Sequence, residues 1–175
     1  MSIINQVPDG KDPFSVCLIS TDCTTTSGIA HRVLEDNGHS DILLQYMENA
    51  LQRHHISPEA LQRHMDLIAS LKIENLPIPR SPYPQTSKTQ KGNFAEVFLA
   101  EYLVSTTDME LPIYRLRYNT NPDQSMKGDD VLLFDLDSDP VRIIVGESKF
   151  RGTPDKQSVI CLLYTSPSPR DRSVS

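Results

Sequence analysis

The ten residues Val141-Arg-Ile-Ile-Val-Gly-Glu-Ser-Lys-Phe150 constrain this chain more than any others. They are β-branched and apolar until a carboxylate and an ammonium emerge near the end, so they read as a strand. Side chains on a strand alternate with a period of two, which puts Glu147 and Lys149 on one face with Val145 and Ile143. A second apolar run, Val131 to Leu136, comes just before, joined by Asp137-Ser-Asp-Pro140; the pair predicts a hairpin. Ahead of it, Lys127-Gly-Asp-Asp130 sets Asp129 and Asp130 at the mouth of the first strand, behind a glycine that permits a sharp entry.

Carboxylates at neighbouring strand ends carry a chemical implication. Hydrolysis of a phosphodiester calls for hard oxygen ligands that hold Mg²⁺, with Mn²⁺ as a substitute, and leave positions open for phosphate and water. A nearby lysine positions the nucleophile or neutralises developing charge. Asp130, Glu147 and Lys149 are of the right chemical types at the right strand ends, with Asp129 a rival for the aspartate. A solvated ion pair at a strand end accounts equally well for Glu147 and Lys149 taken alone. Asp9-Gly-Lys11 has the same spacing but no strand to orient it.

A helix is predicted from about Asn93 to Ser105. In it Glu96 has Leu99, Ala100 and Leu103 at i+3, i+4 and i+7, so its carboxylate borders an apolar stripe. Burial there is costly without a partner, and a metal site would be one; an exposed glutamate on a slightly rotated helix is the alternative. Glu101 reads as surface. A further strand is predicted at Ile113 to Tyr118.

Nearer the N-terminus, Phe14 to Ile19 reads as a strand, followed by a polar loop from Ser20 to Ser27. A helix starts at Ser40, with Ile42, Leu43, Tyr46, Met47, Ala50 and Leu51 as its stripe. Another starts at Ser57 with Pro58 in first position, and Leu61, Met65, Ile68 and Leu71 as its buried face. Adjacent His54 and His55 point in different directions on a helix, and they read as solvated or capping residues. Between Leu76 and Lys91, Pro77, Pro79, Pro82 and Pro84 exclude a helix or central strand, marking a linker between modules.

A net charge of −6 denies the chain the broad basic surface with which a protein holds nucleic acid by charge alone. If DNA is the substrate, another component must help deliver it. Arg115, Arg117, Lys127, Arg151 and Lys156 are the basic residues placed to meet phosphates, or else ordinary solubilising charges. No apolar stretch is of membrane-spanning length and no secretory leader is evident, so a cytoplasmic protein is expected. Three cysteines without paired spacing fit that compartment.

The order of a helix with glutamate, a strand, a strand opening on Gly-x-Asp and a strand ending in Glu-x-Lys resembles the PD-(D/E)xK nuclease superfamily. More closely, Gly92-Asn-Phe-Ala-Glu96, Tyr114-Arg-Leu-Arg-Tyr-Asn119, Lys127-Gly-Asp-Asp130 and Gly146-Glu-Ser-Lys149 resemble the C-terminal domain of the HamA family, nuclease subunits of the Hachiman anti-phage defence system. The resemblance covers about Lys91 to Ile160. It implies an α/β fold of the α+β, mixed-sheet kind: a helix, three strands and the start of a second helix at Thr153 to Lys156. It further implies a Mg²⁺-dependent deoxyribonuclease working beside a helicase partner, with Glu96, Asp130, Glu147 and Lys149 as catalytic residues and Asp130, Glu147 and Glu96 as metal ligands. Asp130 is preferred to Asp129 because the superfamily's glycine usually precedes the aspartate by two positions. A nuclease fold that binds nucleic acid or a helicase without cutting is the alternative.

The expected organisation is a strand plus helical module over 1–75, the linker over 76–91 and an incomplete nuclease-like domain over 92–160. Residues Cys161 to Asp171, Cys-Leu-Leu-Tyr-Thr-Ser-Pro-Ser-Pro-Arg-Asp, reverse-translate into a transposase mosaic-end sequencing adapter. Residues 161–175 are therefore expected to be non-native, with natural sequence continuing past Ile160 and the incomplete core expected to be poorly stable or inactive.

Overall fold

A computed structural model describes residues 12–24, 28, 30–71 and 81–153. The expectations for Asp9 to Lys11, for Pro77 and Pro79, for Pro154 to Lys156 and for the adapter-like tail lie outside these residues. The fold is α+β, as expected, and the strands among the described residues form two separate two-stranded antiparallel ladders.

The chain enters through a short helix, α1 (Pro13–Cys17), and then a ribbon, β1 (Leu18–Thr24) with β2 (Ala30–Asp36). A strand was predicted over Phe14 to Ile19, and a loop after it; both are corrected. Asp12 caps α1 by accepting from the Phe14 and Ser15 amides at 2.8 and 3.1 Å, and Pro13 fits the first helical turn. That cap outweighs the β-branched content of the run. Arg32 ties the ribbon to the body, pairing with Asp22 and donating to the Tyr102 hydroxyl at 3.1 Å.

Helices α2 (Ser40–His55) and α3 (Pro58–Leu71) follow as the periodicity predicted. In α2, Met47 and Ala50 are buried while Ile42 is exposed. In α3 no residue is buried, and Met65 and Leu71 stand 56% and 49% exposed, which corrects the expected buried face. Periodicity reports that a helix has an apolar face, not that another element covers it.

Helix α4 (Ser87–Thr106) is the centre of the molecule. It starts before Asn93, inside the segment read as linker, because Thr86 caps it by accepting from the Thr89 amide. One side joins a core with Phe14, Met47, Ala50, Val97 and Leu116; the other joins a second core with Ala100, Met109, Val131 and Leu133. Phe14 is the anchor of the first, with Tyr46, Phe98 and Tyr102 edge-on around it at 5.3 to 5.7 Å between ring centres.

The predicted hairpin is present as β3 (Val131–Asp135) and β4 (Arg142–Gly146), paired from Val131 opposite Gly146 to Asp135 opposite Arg142; its second strand, expected to run from Val141 to Phe150, stops at Gly146, so Glu147 and Lys149 are not on it. The strand predicted at Ile113 to Tyr118 is instead a turn of 3-10 helix over Arg115–Tyr118, with Leu116 buried. A strand would put Arg115 and Arg117 on one face; the turn sends them to separate acceptors, Arg117 donating to the Arg53 carbonyl at 2.9 Å. Among the described residues, the other edge of β3 is met only by an isolated bridge between Glu110 and Phe134. Leu132, Ile143 and Val145, on the outer face of the hairpin, are exposed.

Replacing Phe14 with Ala should lower stability by about 3–5 kcal/mol, as for other large-to-small core changes. Urea denaturation measures it, and a loss under about 1 kcal/mol would mean that α1 is not part of the core.

Candidate active site

The hairpin register builds the site. Asp130 directly precedes Val131 and Glu147 directly follows Gly146, the terminal pair of the ladder, so both lie at the open end of the hairpin. Gly128 takes φ +111°, a conformation rare for other residues, and turns the chain into β3 as the sequence suggested. Gly146 has a different reason for being glycine. A Cβ there would come within 3.1 Å of the Leu99 side chain and 3.3 Å of Val131, so its absence lets α4 lie close against the hairpin.

On α4, Glu96 is buried, in agreement with the stripe reading. Its partner is an arginine. Arg115 donates through Nε to Glu96 Oε1 at 3.0 Å and through Nη2 to Glu96 Oε2 at 2.7 Å. The same Nη2 reaches Asp130 Oδ1 at 3.2 Å, and Nη1 donates to the main-chain oxygens of Asp129 and Gly128 at 2.8 and 3.4 Å. Asp130 Oδ2 accepts from the amide and the hydroxyl of Ser148, both at 2.8 Å. Glu147 and Lys149 lie past the end of β4 and are exposed.

Electrostatics follow this layout. Burial raises the Glu96 pKa above the ordinary carboxylate value, against the opposing pull of Arg115. The Glu147 pKa is also raised, by partial burial and then by the negative charges of Asp130 and Asp129. Burial works to lower the Arg115 pKa, but Glu96, Asp130 and Glu147 outweigh it and the net shift is upward. Three carboxylates, those of Glu96, Asp130 and Glu147, therefore act on the Arg115 guanidinium.

Beside this group runs a cleft of about 310 Å³, with Glu96, Arg115, Lys127, Asp129 and Asp130 on its polar side and Leu111, Ile113 and Leu132 among its apolar walls. His54, from α2, also lines it. His54 and Glu101 correct the sequence reading, since both are buried and paired, His54 Nε2 with Glu101 Oε1 at 2.8 Å. Tyr46 and Arg53 donate to Glu101 Oε2 at 2.5 and 3.0 Å. Burial pushes the Glu101 pKa up, yet the hydrogen bonds from His54 and Tyr46 and the charge of Arg53 bring the net shift down. His55 is buried too, between the Leu51 carbonyl and Asn93. A second glutamate on an apolar helix, with Arg53 and His54 elsewhere in the chain to match it, was the available signal.

Oxygen donors suit a divalent ion by type, but their arrangement does not hold one. Among the described residues no group of three His, Cys, Asp or Glu side chains stands close enough to hold a metal ion. Glu96 offers both oxygens to Arg115, and Asp130 divides its own between Arg115 and Ser148. As folded, the counter-charge in this site is a guanidinium.

A family model for HamA matches residues 12–161 of the chain. This protein belongs to the HamA family. Over 133 residues it is 38% identical to the Hachiman protein HamA of Bacillus cereus, an alignment covering 74% of this chain and 48% of that one. The chain thus spans about half the length of the curated HamA relative it matches. No solved structure matches it. The HamA match takes in α1 to α3 as well as the site region, so it reaches well upstream of the motifs around Lys91 to Ile160. Among the described residues no helix is long and apolar enough to cross a membrane.

The buried Glu101 group gives a stability test. Glu101→Leu leaves His54, Tyr46 and Arg53 without their acceptor and should cost about 3–5 kcal/mol at neutral pH. Because the folded pKa of Glu101 lies below its unfolded value, the stabilisation is present above the unfolded pKa and is lost as pH falls through the folded one. Urea denaturation should therefore show the gap between wild type and variant closing on acidification below about pH 4; a gap that is independent of pH would contradict this account.

Proposed function

We propose that this protein is the nuclease subunit of a Hachiman anti-phage defence system, hydrolysing DNA phosphodiester bonds in the cytoplasm with Mg²⁺, or Mn²⁺ in its place. Membership of the HamA family and the name of the Bacillus cereus relative support the defence role. What supports the chemistry is the nearness of Asp130 and Glu147 at the open end of the hairpin, with buried Glu96 linked to Asp130 through Arg115.

Asp130, Glu147 and Glu96 are the carboxylates of the right type to serve the metal, and as folded Arg115 engages two of them. A bound divalent ion supplies charge neutralisation at the phosphate and a more acidic water. Lys149, two residues beyond Glu147 and exposed, is available to offset charge on the phosphate, and Lys127 lies on the cleft wall. With a net charge of −6 the chain has little non-specific hold on DNA, which supports a helicase partner that delivers the strand.

One observation favours a second reading, a nuclease-fold module that binds nucleic acid or the helicase without cutting. It is the engagement of the Glu96 and Asp130 oxygens by Arg115 and Ser148. Divalent metal titrated into the full-length protein separates the two, since a non-cutting module should show no binding that Asp130→Ala removes.

In the full-length protein with its helicase partner, Mg²⁺-dependent DNA degradation should drop by at least about 10²-fold in Asp130→Ala and in Glu147→Ala. A labelled-DNA assay measures this, with circular dichroism to verify folding. Degradation that persists at the wild-type rate when Glu147 and Lys149 are both changed to Ala would remove them from the site.

A further inference from the structure

We infer that Phe150, with Lys88, Lys91 and Lys149 around it, is a stacking platform for single-stranded DNA beside the candidate active site. Resting on the DNA reading above, this assignment names the form of the substrate and the surface that holds it.

Two parts of the chain meet here. Lys91 lies on α4, five residues before Glu96 and so about 7.5 Å from it along the helix axis. Phe150 comes two residues after Ser148, which donates to Asp130, so at most about 7 Å of chain separates them. The Lys91 ammonium stands 5.6 Å from the centre of the Phe150 ring. Lys88 is one turn earlier on the same side of α4, and Lys149 adjoins Phe150 in the chain. All three lysines are exposed, and so is 38% of Phe150.

No carboxylate takes up these charges. Among the described residues Lys88, Lys91 and Lys149 form no salt bridge, whereas Arg32, Arg53, Arg115 and Arg142 each hold a carboxylate. Lys88 and Lys91 face each other across one turn, where like charges cost the helix a little stability. Lysines that serve solubility alone are interspersed with acids. Here three gather round a ring, in a chain with more acidic than basic residues. The exposed ring narrows the anion that fits. Phosphates of any nucleic acid would satisfy the lysines, but a base stacks on Phe150 only when it has left a duplex. Single-stranded DNA brings backbone charge and open base faces together, and a base seated on Phe150 keeps its strand beside the open end of the hairpin.

Fluorescence anisotropy with labelled oligothymidine and its matched duplex, on the full-length protein without divalent ions, tests the platform. Wild type should bind the single strand more tightly than the duplex. Phe150→Leu, which keeps apolar bulk but not the aromatic face, should lose about tenfold on the single strand, and Phe150→Tyr should retain wild-type affinity. Lys88→Ala combined with Lys91→Ala should lower the slope of log affinity against log salt by about 1.4 on the single strand, a slope that Phe150→Leu leaves unchanged. Equal affinity in wild type and Phe150→Leu overturns the inference, as does a duplex bound as tightly as the single strand, or no binding of either by wild type. If Phe150→Leu does not fold, the lysine variant at its exposed positions decides, and an unchanged salt slope there overturns the inference. Binding that Phe150→Leu weakens, in a protein that degrades no DNA with its partner and Mg²⁺, keeps the platform and overturns the nuclease reading alone.

Discussion

Two glutamates on one buried helix, Glu96 and Glu101, set the terms for the rest of this structure. A carboxylate taken out of water is tolerated only with paired charge and satisfied lone pairs. Helix α4 is buried on both sides, so each glutamate must find its partners on a different neighbour. Glu101 finds His54, Arg53 and Tyr46 on α2, which fastens the N-terminal helices to α4. Glu96 finds Arg115, which in turn gathers Asp130 and the turn leading into β3. Both halves of the molecule are thus joined to the central helix by buried ionic groups as well as by apolar packing.

The same arrangement places the candidate chemistry. Because α4 lies close over Gly146, the open end of the hairpin, where Asp130 and Glu147 lie, is held near Glu96. The N-terminal helices contribute to the site region as well, since His54 of α2 lines the cleft that Glu96, Arg115 and Asp130 share. This agrees with a HamA match that begins at residue 12. The cation that Glu96 and Asp130 hold in this fold is the Arg115 guanidinium.

Much of this was legible in particular residues. The hairpin was read from alternation and its turn residues, although its second strand ends at Gly146 and not at Phe150, and Glu96 was read as bordering a stripe. The helical reading of α2 held because its stripe is packed on Phe14 and α4. Other elements were misread for identifiable reasons. Local capping by Asp12 overrode a β-rich run in α1, and the polar residues taken for a loop after it pair as β1 with β2. The apolar stripe of α3 has no covering surface, and the expected strand at Ile113 to Tyr118 gave way to a turn that serves two arginines separately.

By itself the sequence determined what depends on near neighbours: the helix and strand periods, the glycine turn before Asp130, and the appearance of Asp130 and Glu147 at adjoining strand ends. The HamA resemblance was carried by those same local motifs. Tertiary structure alone decided the pairing of charges, with Arg115 on a glutamate 19 residues away and His54 on one 47 residues away. Periodicity can say that a glutamate is near an apolar face, but its partner is chosen by burial cost and distance in three dimensions, and these exist only after the chain has packed.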